Sequence, residues 1–162
     1  MLGLVLTALG VLLMVGNITG AEDEVRIDST SWWMVPVFAA ATLPVIWRRR
    51  GVLLVTLVAA AAMAVHVLAF GWVVRCGAGL PLAFALAYAA GRLSERREGL
   101  VALAATVGLQ GLVLVQDSAA GLEILPVTAV IGIACWGVGY LLRQRSERRP
   151  QADVDTAVDT YV

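Results

Sequence analysis

Apolar residues in this chain run in blocks too long for the core of a soluble domain, and that blocking constrains the fold more than anything else in the sequence. The blocks lie at about 2–18, 32–47, 52–74, 79–93, 99–116 and 123–142. A helix needs about 20 mainly apolar residues to cross a bilayer, with about 17 to 25 usual. The first, second and fourth blocks sit at or below that limit. Their helices must reach into the interface or meet a locally thinner bilayer. Only 15% of the residues are charged and 60% are apolar, against about a quarter and about a half in soluble domains. The expected fold is all-α, a polytopic bundle of six transmembrane helices over residues 1–149, multi-pass in the plasma membrane.

The basic residues orient it. All twelve are arginine. Arg48, Arg49 and Arg50 follow the second block, Arg92, Arg96 and Arg97 the fourth, and Arg143, Arg145, Arg148 and Arg149 the sixth. The alternate turns hold only Arg26 and Arg75, beside the acidic stretches "TGAEDEVRIDST" and "QDSAAGLE". The positive-inside rule then puts both termini in the cytoplasm. Trp32, Trp33 and Trp72 fall at outer ends and Trp47 and Tyr140 at inner ends, as interfacial aromatics do. Pro81 and Pro126 fall in first turns, where a missing N–H costs little. Pro36 and Pro44 both lie in the second block, which should kink or start late. Residues 1–20 could pass for a signal peptide, but the positively charged start is missing.

Polar residues inside apolar helices are costly, so they mark either function or packing. Counted at about 1.5 Å per residue from the inner end, His66 lies roughly 22 Å up and Gln110 roughly 17 Å up. Tyr88, Thr42 and Thr106 also fall near mid-helix. His66, Gln110, Tyr88 and Thr42 are the candidates for a ligand- or proton-sensing pocket, with His66 as the titrating group. The plainer alternative is interhelical hydrogen bonding that holds the bundle together. One histidine offers no metal or haem site, and Cys76 and Cys135 lie too far apart in depth to bridge. Ala85 and Ala89, and Ala87 and Gly91, form small-xxx-small pairs suited to close helix packing within the bundle or across a homodimer. The sequence carries no intramembrane Ser–His or carboxylate pair and no phosphate loop. The expectation is therefore no enzyme, no cofactor, no metal and no nucleic-acid partner.

Three stretches taken together resemble the N-terminal membrane module of actinobacterial sensor histidine kinases of the DesK/NarL-associated type. They are "SWWMVPVFAAATLPVIWRRRGVLLVTLV" (31–58), "LPLAFALAYAAGRLSERREGLVALAA" (80–105) and "WGVGYLLRQRSERR" (136–149). The resemblance covers roughly residues 31–149, with Gly51 where the family often has proline. It implies a sensor-like input domain of a two-component system, signalling through the exit of the last helix, where Arg143 and Arg145 stand. In the family that helix continues into a dimerisation domain with a phosphoaccepting histidine and then an ATP-binding domain. After Arg149 this sequence offers neither, and His66 lies within an apolar block.

The remaining residues, 150–162, read "PQADVDTAVDTYV" and form an acidic cytoplasmic tail. Pro150 should stop the helix. Val154, Ala157, Val158 and Tyr161 still follow one helical face, but so short an isolated helix is marginal in water, and the tail is expected to be disordered. Three functions fit: a sensor-like membrane module, a small transport component or substrate-binding subunit, and a helix-packing scaffold. The first expects membrane lipids, a second copy, or a membrane-embedded kinase as partner. The second needs the four candidate residues to share one cavity.

Overall fold

The structure, a computed structural model, describes residues 2–20 and 26–160, with side chains for 3–20 and 26–147. Every regular element of the described chain is a helix: α1 Leu2–Thr19, α2 Met34–Thr42 running on as a 3-10 turn Leu43–Trp47, α3 Val52–Phe70, α4 Cys76–Leu93, α5 Arg96–Leu114, a 3-10 turn Leu122–Ile124, and α6 Leu125–Thr160. Its sole extended pairing is an isolated bridge between Val73 and Asp117. Helices α3, α4 and α5 and the stretch Leu122–Glu147 are long and apolar enough to cross a membrane; Gly3–Thr19 and Met34–Trp47 are apolar but shorter. The all-helical membrane-type bundle expected from the apolar blocks is therefore present, with four helices of spanning length.

Prolines explain two local departures from regular helix. Pro36 falls in the first turn of α2, where its missing N–H is harmless. Pro44 falls later and cannot donate to the carbonyl four residues back. There the helix tightens into the 3-10 turn, which is the expected break in the second block. Two boundaries differ from the apolar blocks. The third block runs to 74, but α3 stops at Phe70 because Gly71 turns the chain at φ +62°. That left-handed conformation suits glycine, and a Cβ there would also press on the Asp28 carboxylate. Helix α4 then starts at Cys76 rather than 79, so Pro81 lies inside the helix and not in its first turn.

Helix α4 is the hub. It packs on α1, α3, α5 and α6, and half of its apolar length is buried, against 17% for α6. Phe38, Met63, Leu82, Leu86, Leu109 and Val113 form the main core with it. The contact of α4 with α6 is backbone to backbone. A Cβ on Gly91 would strike the Trp136 carbonyl, and one on Gly139 would strike the Tyr88 carbonyl. Of the small residues read from the sequence, Ala87, Ala89 and Gly91 are buried in internal packing, while Ala85 is half-buried.

Helix α6 does not stop at Pro150, as the sequence suggests, but continues to Thr160. The backbone of residues 150–160 is helical; Tyr161, the last residue of the one-face pattern, lies outside the described residues.

The turns sort to two ends. At one, Arg48–Arg50 share a cavity with Leu93, Ser94 and Glu98. Arg92 Nη1 donates to Ser146 Oγ at 3.3 Å and Arg143 Nη1 donates to the Ser94 carbonyl. At the other, the Asp28 N–H donates to the Trp72 carbonyl at 2.8 Å and the Ser118 N–H to the Val73 carbonyl at 3.3 Å. Arginines at 48–50, 92–97 and 143–145 therefore gather at one end, with Arg26 and Arg75 at the opposite one.

Candidate functional site

The densest polar assembly sits at that opposite end, around Arg75. Its side chain is wholly buried, between the ends of α3 and α4. Nε donates to His66 Nδ1 at 3.0 Å, Nη1 to the Gln116 carbonyl at 2.9 Å, and Nη2 to the Gly71 carbonyl. Burial pushes the guanidinium down to about 10, with the Asp117 charge opposing the shift. It therefore stays charged at neutral pH. Because a guanidinium can only donate, His66 Nδ1 must accept, and the imidazole is held neutral with its proton on Nε2. That Nε2 is buried without a hydrogen-bond partner. The ring lies edge-on to Phe38 at 5.5 Å and tilted against Phe70 at 4.9 Å.

Asp117 completes the assembly without touching the guanidinium. Its Oδ2 accepts from the backbone N–H groups of Arg75 at 2.6 Å and Cys76 at 2.7 Å, capping α4 from a loop 41 residues away. Its Oδ1 accepts from the N–H groups of Ala119 and Ala120, both at 2.9 Å. A carboxylate at a helix N-terminus satisfies orphan donors and meets the positive end of the dipole. Gln116, just before it, has φ +54°, a conformation rare for residues with a Cβ. The hydrogen bonds of its carbonyl to Arg75 and of Asp117 to α4 hold it there. Asn17 ties in α1: its amide donates to the Val74 carbonyl at 2.9 Å and its Oδ1 accepts from the Val74 N–H at 3.1 Å. Outside this cluster, the Arg26 guanidinium and the Trp72 N–H hold the Asp28 carboxyl below the usual carboxylate range. Arg26 also lies 5.3 Å from the Trp72 ring centre.

Asp117→Ala removes four acceptor contacts, two of them at the mouth of the hub helix. We expect a loss of about 2–4 kcal/mol, since a lost cap costs about 1 and each orphaned buried donor about 1–3. Unfolding in mixed SDS micelles measures it. A loss under about 0.5 kcal/mol would mean that water replaces the carboxylate.

The four sensing candidates share no described cavity. His66 belongs to the Arg75 assembly. Gln110 is fully buried with both amide atoms unpartnered, its Nε2 directed at Gly132 of α6. The Thr42 hydroxyl donates within its own helix, to the Ala39 carbonyl at 3.2 Å. Thr106 does the same to the Leu103 carbonyl at 2.7 Å. Tyr88 is partly exposed and belongs to the other end, lining a cavity of about 220 Å³ with Arg48, Arg49 and Arg92. Of the remaining exit residues, Arg96, Arg97 and Arg145 are exposed, and Arg143 pairs with Glu147 at 2.8 Å. Arg50 lines the smaller cavity, of about 130 Å³, beside Glu98. Both cysteines are free, and no three potential metal ligands come together among the described residues.

Sequence reasoning singles out His66 and misses its partners. Arg75 counts only as a stray charge on the arginine-poor side, and Asp117 only as loop acidity. A signal is there to be used: a lone arginine flanked by apolar residues, nine positions after a lone histidine, in a stretch otherwise free of charge.

Against this geometry, no family model, no curated protein and no solved structure matches the chain.

Proposed function

We propose that the chain is a sensor-like membrane module that crosses the bilayer six times, keeps both ends on the arginine side, and passes a change within the bundle outward along α6. The observation that carries this reading is α6 itself. At about 1.5 Å per residue, 36 residues make a rod of about 54 Å. The hydrocarbon core takes about 30 Å, which leaves about 24 Å to project from the arginine end. Only a small share of its apolar length is buried. It packs along α4, through the Gly91–Gly139 crossing, the Arg143 contact with Ser94 and the Arg92 contact with Ser146, and meets α5 where Gln110 faces Gly132. A rod packed along the hub helix and projecting beyond it carries a small rotation in the bundle into a displacement outside it. Shifts of about 1–2 Å are common in switching helices. Arginines gathered at one end support the orientation. Asp28 and Asp117 at the opposite end support it too.

Two measurements test this. Reporter fusions after Arg49 and after Arg145 should report the same compartment; opposite compartments would end both the six-span layout and the exit route. Purification from native membranes should bring down a kinase or response regulator. If none comes down and deletion leaves envelope-responsive transcription unchanged, the signalling reading fails while the fold stands. A transport role requires one polar pocket built from His66, Gln110, Tyr88 and Thr42, and those residues are dispersed over both ends of the bundle.

A further inference from the structure

We infer that the groove between α4 and the turn after α2 is a binding site for the phosphate headgroup of an anionic phospholipid, with Arg48, Arg49 and Arg92 as its phosphate ligands. Ala85, Tyr88, Ala89 and Arg92 are spaced i, i+3, i+4, i+7 on α4 and form one face of that helix. The face lines a cavity of about 220 Å³ opposite Arg48 and Arg49. The break at Pro44 ends α2 early and carries Arg48 and Arg49 onto this face. A second cavity of about 280 Å³, lined by Gly3, Leu4 and Ile46, adjoins the same two arginines on the α1 side.

Three features select the ligand. Its charge is set by the guanidiniums. The ion pairs among the described side chains are Arg26–Asp28 and Arg143–Glu147, so Arg48, Arg49 and Arg92 carry no carboxylate partner there. Glu98 lines only the neighbouring small cavity with Arg48 and Arg49. Three forked, always-charged donors match the oxygens of a phosphate. The groove's chemistry is graded along α4: Arg92 stands at its arginine end with Arg48 and Arg49, and Ala89, Tyr88 and Ala85 follow toward the middle of the helix. That gradient fits a headgroup joined to a hydrocarbon chain better than a free ion. The position also suits a lipid, because Leu4, Ile46, Tyr88 and Leu93 are exposed around it on the bundle's apolar flank. Basic pockets between transmembrane helices hold lipid headgroups in this way. The inference does not depend on signal transmission through α6.

The test is native mass spectrometry of the full chain released from detergent, titrated with phosphatidylglycerol, cardiolipin or phosphatidylcholine. One anionic lipid should stay bound per chain, at least about tenfold more tightly than phosphatidylcholine. The double variant Arg49→Gln, Arg92→Gln should lower that affinity about tenfold or more. The double variant Arg96→Gln, Arg97→Gln removes the same charge from the same end, outside the groove, and should leave affinity within about twofold. Equal losses in the two double variants would overturn the inference in favour of diffuse charge attraction. Displacement of the lipid by millimolar inorganic phosphate would overturn it in favour of a free-phosphate site. Ala85→Phe fills the apolar part of the groove and keeps every charge. It should weaken lipid binding, and unchanged binding would show that the acyl chain lies elsewhere. Circular dichroism of each variant confirms that the helices persist.

Discussion

Arg75→Met should destabilise the bundle by about 3 kcal/mol in mixed SDS micelles. Methionine fills much of the same volume but leaves His66 Nδ1 and the Gln116 and Gly71 carbonyls without their donor. Each orphaned buried group costs about 1–3 kcal/mol. The two carbonyl bonds are only partly buried, so water recovers some of that, and the sum falls well below three full penalties. His66→Leu alone should cost about 1–2 kcal/mol, because it orphans the buried Nε of Arg75. The double variant should cost less than the two singles combined, by about 1 kcal/mol or more. Additivity within about 0.3 kcal/mol would show that the pair shares no energetic contact. Arg75→Lys should fall between wild type and methionine. An ammonium keeps the charge but cannot span three acceptors that a planar fork reaches at once.

The same assembly shows what a linear reading can and cannot see. Apolar blocks fix where helices lie, because the bilayer demands length and hydropathy, and both are local properties of the chain. Block 52–74 nevertheless overshoots the end of α3 by four residues. Gly71 and Trp72 look apolar in a window, and only the three-dimensional contact with Asp28 shows why the chain turns there. The true start of α4 is hidden for a similar reason. Its cap comes from Asp117, two helices later, and a local search for capping residues finds nothing at Arg75. Pro44 is legible because its effect is covalent and acts on its own helix. The mid-helix candidates are legible as costly residues but not as neighbours. Depth along a helix says how far up a side chain lies and nothing about which way it faces. His66 therefore turns toward Arg75 and two phenyl rings, while Tyr88 turns toward the arginine cleft.

The α4–α6 crossing is visible in the sequence as the Ala87–Gly91 small pair on one helix and only as glycine content on the other, and it gives the second large effect. Gly91→Ala and Gly139→Ala should each cost about 4 kcal/mol or more, among the most damaging single methyl additions the bundle can receive. Overpacking with side chains as neighbours typically costs about 1–3 kcal/mol, because side chains shift. Here the neighbours are backbone: the Trp136 carbonyl and Tyr140 N–H facing Gly91, and the Tyr88 carbonyl and Arg92 N–H facing Gly139. Neither helix can yield without the whole interface opening, and losses of that size come from such overpacking. The contacts are reciprocal, so the double variant should cost little more than either single; once the helices part, the second methyl fits the gap. Gly137 supplies the control. It lies two residues from Gly139 with nothing within 4 Å of where its Cβ would stand. Gly137→Ala should be neutral, or stabilising by up to about 1 kcal/mol through helix propensity. Similar losses at 137 and 139 would mean that glycine content, and not the crossing, matters. If the signalling reading holds, Gly91→Ala should also shift output at protein levels matched to wild type, because opening this crossing moves the base from which α6 projects.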